Sequence, residues 1–315
     1  MRLFFVIAAV LATAHATAQQ YPTRVVRYLV SDQAGSATDL LARITAEGLS
    51  EVFGHQVIVD NRPGAGGNIA GEIGARANPD GYTLLQVATT HAVNATLYKT
   101  LGYNIVRDLT GVAQLAAGPS VVVVPSNSPI KSVTDLVNTA KTKPGVLSYG
   151  SAGTGTCTFL AGEQFKRHAS LNIMHVPYKG GPAAVTSVVS GETSVYFAPL
   201  SAALPMVRQG RLIALAVTTN KRLDQLPTTP TVADSGLPGY QFTCWYGLMA
   251  PVATPPKIVA AINAAVVKVL AQPNTQKRLA DLGFIPVGDK PEEFTAHVKA
   301  QVETFRSITR DLPQP

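Results

Sequence analysis

Two short stretches could do chemistry: "DQAGSATD", Asp32–Asp39, and "GSAGTGTCT", Gly150–Thr158. Each places glycine, alanine and hydroxyl residues immediately before a run with helical periodicity. Small residues leave a helix N-terminus uncovered, and its unpaired N–H groups at the positive pole attract anions without a basic side chain. A nucleophile turn, a phosphate cradle and a carboxylate clamp all use such a place. The nucleophile turn around Ser151 needs glycine two residues before and two after the serine. Gly153 meets the second requirement, but Tyr149 stands at the first. His168 and His175 follow, and nothing in the sequence joins either to Ser151. An exported α/β hydrolase using Ser151 is therefore the rival reading.

A phosphate cradle fares no better. Neither glycine-rich loop is followed by a Walker lysine, and "NRPGAGGNIAG", counted from Gly64, has Ile69 where a dinucleotide fingerprint needs its third glycine. A tight turn with close helix–sheet packing is expected there. The histidines show no HxH or HxxxH pair and the carboxylates no EF-hand spacing, so no metal and no cofactor is implied. Cys157 and Cys244 permit a disulfide in an oxidising compartment without establishing one. What survives is the clamp. The first loop offers Gly35, Ser36 and Thr38, the second Ser151, Gly153, Thr154, Gly155 and Thr156, and two such helix ends facing each other would hold a carboxylate from both sides.

The elements that must position these loops alternate. "VVRYLV", "QVIVD" and "YTLLQVA" read as strands separated by helical segments, and "GVAQLAAGPSVVVVP" as two more strands. "SVTDLVNTAK" reads as a helix opened by Ser132 with Asp135 three residues on. Strands "VLSYG", "IMHVPY", "TSVYFAP" and "LIALAV" then alternate with helices, "YQFTCWYGLMAP" is a long strand, and helices begin at Pro256 and at "KPEEF". Such alternation implies mostly parallel sheets covered on both faces. A chain that builds one α/β unit, builds a second and returns to the first makes two lobes joined by crossing strands. The expected division is 19–123 plus 245–315 for lobe I and 124–244 for lobe II.

The N-terminus carries Arg2, an apolar run from Leu3 to Ala12 and Ala16-Thr17-Ala18, the pattern of a signal peptide cleaved after Ala18. A periplasmic location is expected. The chain has 315 residues, 46% of them hydrophobic and 14% charged, with a formal net charge of +7. The basic residues are scattered and form no stripe, which argues against nucleic-acid binding.

The sequence also resembles the periplasmic substrate-binding proteins of tripartite tricarboxylate transporters, the Bug-type receptors. The resemblance is carried in order by "AGSATDLLARITAEGL", "VIVDNRPGAGGNIAGEIGARANPDGYTLL", "LSYGSAGTGTCTFLAGEQFK", "HVPYKGGPAA", "TVADSGLPGY" with "CWYGLMAP", and "GFIPVG" with "KPEEF". It implies a two-lobed periplasmic-binding-protein fold, α/β in each lobe, that closes on an organic carboxylate and performs no catalysis. It further implies a monomer that delivers its ligand to a membrane permease. A ligand-sensing subunit is the alternative to uptake. By position, the resemblance assigns ligand binding to Gly35, Ser36, Ala37, Thr38 and Asp39 in the first loop, with Asp39 orienting donors or water. In the second loop it assigns Ser151, Ala152, Thr154, Gly155 and Thr156. The far end of the ligand is expected near Thr89, His91, Lys179, Ala198 and Pro199.

Three departures from the family pattern bear on the ligand. The first loop reads "SDQAGS", with Asp32 at its rim; Ala198-Pro199-Leu200 follow "SVYF"; and Cys157 and Phe159 follow the second loop. A second carboxylate buried without paired donors costs several kcal/mol. An aromatic carboxylate or dicarboxylate such as terephthalate is therefore expected.

Overall fold

The computed structural model describes residues 21–309. The expected signal peptide and its cleavage after Ala18 lie outside the described residues. The first unit runs β1 (Val26–Val30), α1 (Ala37–Phe53), β2 (Val57–Asn61), α2 (Asn68–Ala75), β3 (Thr83–Ala88) and α3 (Thr89–Leu97). A long β4 (Leu109–Pro125) leads to α4 (Val133–Thr142), β5 (Ser148–Ser151), α5 (Cys157–Ala169), β6 (Met174–Pro177), α6 (Gly181–Ser190), β7 (Val195–Pro199), α7 (Leu200–Arg208) and β8 (Leu212–Val217). The chain returns through β9 (Thr243–Pro251) to α8 (Pro256–Leu270), α9 (Pro273–Asp281), β10 (Ile285–Pro286) and α10 (Pro291–Thr309).

The strands form two parallel blocks joined by antiparallel connectors. In the first block β1 pairs β2 and β3 in parallel, and in the second β5 pairs β6 and β7 in parallel. β9 joins β3 to β4 antiparallel, and β4 goes on to pair β7 and β8. The "GVAQLAAGPSVVVVP" segment is thus one strand rather than the two expected. Its Gly118-Pro119 step does not end it, because Pro119 lies where β4 changes partner: Pro119 is the last residue opposite β9 and Ser120 the first opposite β7. A missing N–H is least costly at such a change of ladder. Register shifts between Gly111 and Ala113 and between Gln114 and Ala116 let the long strand bend.

Helix ends follow the sequence closely. Ser132 caps α4 by accepting from Asp135 N–H at 3.0 Å, and Asp135 accepts from Lys131 N–H at 3.0 Å. Pro256 opens α8. Phe294, Val298, Val302 and Phe305 turn one face of α10 into the core, each at or below 6% exposure. The Gly64–Gly67 segment is a tight turn: Gly64, Gly66 and Gly67 all have positive φ, and Gly66 accepts from Asn94 Nδ2 at 2.8 Å. Two helices, α3 and α9, stand where sequence periodicity offers little. α3 is two and a half turns of mixed residues, and α9 is strongly polar.

Candidate functional site

Both loops end as helix N-termini. Ser36 caps α1, its Oγ accepting Asp39 N–H at 3.1 Å, and Leu40 N–H bonds Ser36 O. Asp39 is buried and accepts from Gly35 N–H at 2.8 Å, Arg43 Nε at 2.9 Å and Asn61 Nδ2 at 2.9 Å. Burial alone pushes the Asp39 carboxyl up, but these donors and the Arg43 charge outweigh it and hold the group below the usual carboxylate range. Asp39 therefore braces the loop from inside. Gly35 N–H is spent on it. The N–H groups of Ala37 and Thr38, the first two of the helix, have no partner among the described residues.

The second loop is braced differently. Gly153 N–H donates to Ser151 Oγ at 3.1 Å, Ala152 N–H to Thr158 Oγ1 at 2.9 Å, and Thr156 Oγ1 to Gly153 O at 2.6 Å. Thr156 gives α5 no side-chain cap, which leaves the first-turn N–H groups of Cys157, Thr158 and Phe159 open. Thr154 and Gly155 N–H also find no partner among the described residues. Gly153 and Gly155 sit at φ 123° and 79°, values that favour glycine. The segment carrying Lys179 packs on this loop: Tyr178 N–H donates to Ser151 O at 2.9 Å and Gly180 N–H to Ala152 O at 3.3 Å. Lys179 itself is exposed.

Two paths of contact bring the loops together. A Cβ on Gly155 would lie 3.2 Å from Leu97 Cδ2 and 3.4 Å from Asn94 Oδ1; Asn94 in turn holds Gly66, and Gly67 lies against Ser31 and His91. On the other side, the Cys157–Cys244 disulfide ties the second loop to β9, whose Trp245 N–H bonds Thr89 Oγ1 in the first half. Protein crowding pushes the Asp32 carboxyl up although solvent still reaches the side chain; the Thr38 hydroxyl bonded to it pulls the other way, and Asp39 adds to the rise.

The distal candidates divide. Thr89 is buried and its hydroxyl takes Trp245 N–H at 2.9 Å, so it secures β9. His91, also buried, accepts Ala88 N–H on Nδ1 at 3.1 Å, which assigns the ring proton to Nε2. That Nε2 lies near the Gly67 backbone without a hydrogen bond of good geometry and has no partner. Burial pulls the His91 pKa down to about 4, so the ring is neutral. Ala198 is fully buried and Pro199 half-buried at the start of α7. Phe159 is buried against the His175 ring, with centroids 4.7 Å apart, and does not line an open cleft. Cys157 and Cys244 form a disulfide.

The structure also joins what the sequence left apart. Ser151 Oγ lies 2.7 Å from His175 Nε2, while His168 bonds Pro238 O instead. Ser151 is fully buried and already accepts Gly153 N–H, so this pair supports the loop and offers no accessible nucleophile. Sequence reasoning named His175 without placing it, and missed Thr158 and Asn94. Thr158 was legible as a further hydroxyl in the same loop; Asn94 becomes visible only through packing.

Comparisons with known proteins agree on one family. The model of the tripartite tricarboxylate transporter family receptor matches residues 41–313. A UPF0065 protein from the tcbD-tcbE intergenic region of Pseudomonas sp. (strain P51) is 35% identical over 96% of this chain and 91% of its own length. The solved structure of R. palustris Rpa4515 with adipate is 35% identical, covers 92% of this chain and 97% of its own, and has a TM-score of 0.86. The periplasmic binding protein BugD is 30% identical over 91% and 97%, with a TM-score of 0.83. MatC from Rhodopseudomonas palustris, with bound malate, is 28% identical over 92% and 100%, also at 0.83.

Proposed function

The chain belongs to the tripartite tricarboxylate transporter receptor family, and from that premise we propose that it captures an organic carboxylate by closing its lobes and hands it to a membrane permease. It is a solute-binding receptor of the periplasmic-binding-protein fold and not an enzyme. The observation that carries the reading is the pair of helix N-termini with unspent N–H groups: Ala37 and Thr38 on α1, and Thr154, Gly155 and the first turn of α5. Backbone donors at two helix poles suit a carboxylate, and hinge closure completes the grip. Relatives holding adipate and malate support that class. The site is assigned to Gly35–Asp39 and to Ser151, Ala152 and Thr154–Thr156, with Lys179 and His91 toward the far end; in it, Asp39 and Ser151 brace the loops. The lobes are assigned to 19–123 with 245–315 and to 124–244. The change of partner in β4 at Pro119–Ser120 and the pairing of β9 from Thr243 support crossings close to those limits.

The preferred ligand is an aromatic carboxylate or dicarboxylate such as terephthalate. Asp32, exposed at the rim, disfavours a ligand with many negative charges. Tyr246, Phe159 and Ala198 are all buried, so the preference rests on that charge. Calorimetric titration with benzoate, terephthalate, adipate and citrate tests it. Terephthalate or benzoate should bind most tightly; tight citrate binding with no aromatic response overturns the preference and leaves the carboxylate class intact.

A further inference from the structure

The Cys157–Cys244 disulfide spans 87 residues and brings its Cα atoms to 6.0 Å. Cys157 is the first residue of α5, directly after the second loop, while Cys244 lies in β9 opposite Gly118. The backbone passes between the two halves at two places. β4 leaves β9 at Pro119 and takes up β7 at Ser120; the chain returns from Phe242, whose N–H bonds Thr218 O, to Thr243 opposite Pro119. Among the described residues the disulfide is a covalent tie from α5 to the start of β9, at the return crossing itself. It runs from the carboxylate loop to the strand that carries the hinge.

We propose that the Cys157–Cys244 disulfide is a positioning element for the second half of the carboxylate clamp, which anchors the Thr154–Phe159 donors to the hinge strand while the lobes rotate. The proposal rests on the clamp reading above. Gly155 meets the other lobe at Leu97 and Asn94, and opening the lobes parts those contacts. The disulfide does not part. Cys244 lies one residue past the return crossing, so the link is near the pivot and allows rotation. It prevents the loop from sliding away from β9, and the donors meet each incoming carboxylate already in place. Preorganisation of this kind lowers the ordering cost of binding.

Hydrogen exchange on the unliganded full chain tests this without requiring any ligand. In the Cys157→Ala/Cys244→Ala variant, below its melting transition, the hydrogen-bonded amides within 152–160, those of 152, 153, 156 and 160, should exchange at least about tenfold faster than in the wild type, with the bonded amides of 39 and 40 unchanged. Equal rates at 152–160, or the same acceleration in both segments, overturn the proposal, because a cross-link that only stabilises the fold acts on both through global opening. If the variant does not fold, the wild type is reduced with a water-soluble phosphine. One disulfide, one phosphine and one water then become two thiols and a phosphine oxide, and the same comparison is read. Adipate serves as the binding probe, and its dissociation constant should rise about tenfold without the disulfide. Failure of adipate to bind the wild type counts against the ligand reading, and the exchange comparison still decides the role of the disulfide.

Discussion

His91 and Asp32 carry the sharpest single-residue consequences. His91 is neutral in the fold, with its pKa pulled by burial from 6.5 to about 4. The folded value lies below the unfolded one, so between them the unfolded chain holds the extra proton. This contribution is complete above about pH 6.5 and is lost as pH falls toward 4, about 3 kcal/mol in all. Urea denaturation across that range should show the decline, to which His175, also pulled to about 4 by burial, adds, and His91→Gln should lessen it; an unchanged slope refutes the buried neutral ring. Asp32→Asn removes the charge at the cleft rim and should tighten adipate and citrate several-fold while leaving benzoate nearly unchanged. Titration of both ligand types checks this, and equal gains for all of them refute a charge-based filter. At this scale the sequence was legible where a residue acts through its backbone or caps a helix, as at Ser36, Gly155 and Ser132. It was silent where only packing decides: Thr89 also holds Trp245, and Phe159 covers His175.

At the scale of elements, alternation and capping residues located almost every strand and helix. The single long β4 was hidden because Gly118-Pro119 is an ordinary break signal, and it is tolerated only at the change of partner. α3 was hidden because "TTHAVNATL" lacks a capping side chain at Ala88, and His91 supplies half of a capping box from within. Element contacts also yield a test of closure. Gly155 has φ 79° and faces Leu97 and Asn94 across the junction. Gly155→Ala should cost about 1–2 kcal/mol in backbone strain and weaken ligand binding by obstructing closure. Adding Leu97→Ala should restore part of the affinity and none of the stability. Restoration of neither, measured by titration and denaturation together, contradicts the contact's role in closure.

For the whole molecule, two α/β halves share connecting strands, and each contributes one helix end to the junction proposed to hold the carboxylate. The two-lobed plan was legible from the order of elements. How the lobes meet was not, because Gly155 comes against Leu97 and Asn94, segments distant in sequence that only packing brings together. Trp245, the single tryptophan, is packed in the first lobe against Phe294 and His297. Its fluorescence is therefore a poor reporter of closure. The direct measurement is thermal stabilisation by benzoate, terephthalate, adipate and malate, each beside its neutral amide. A carboxylate at 100 times its dissociation constant adds about 2.7 kcal/mol to stability, so at least one acid should raise the melting temperature clearly while its amide does not. Equal protection by the amides, or none by any carboxylate, contradicts the clamp.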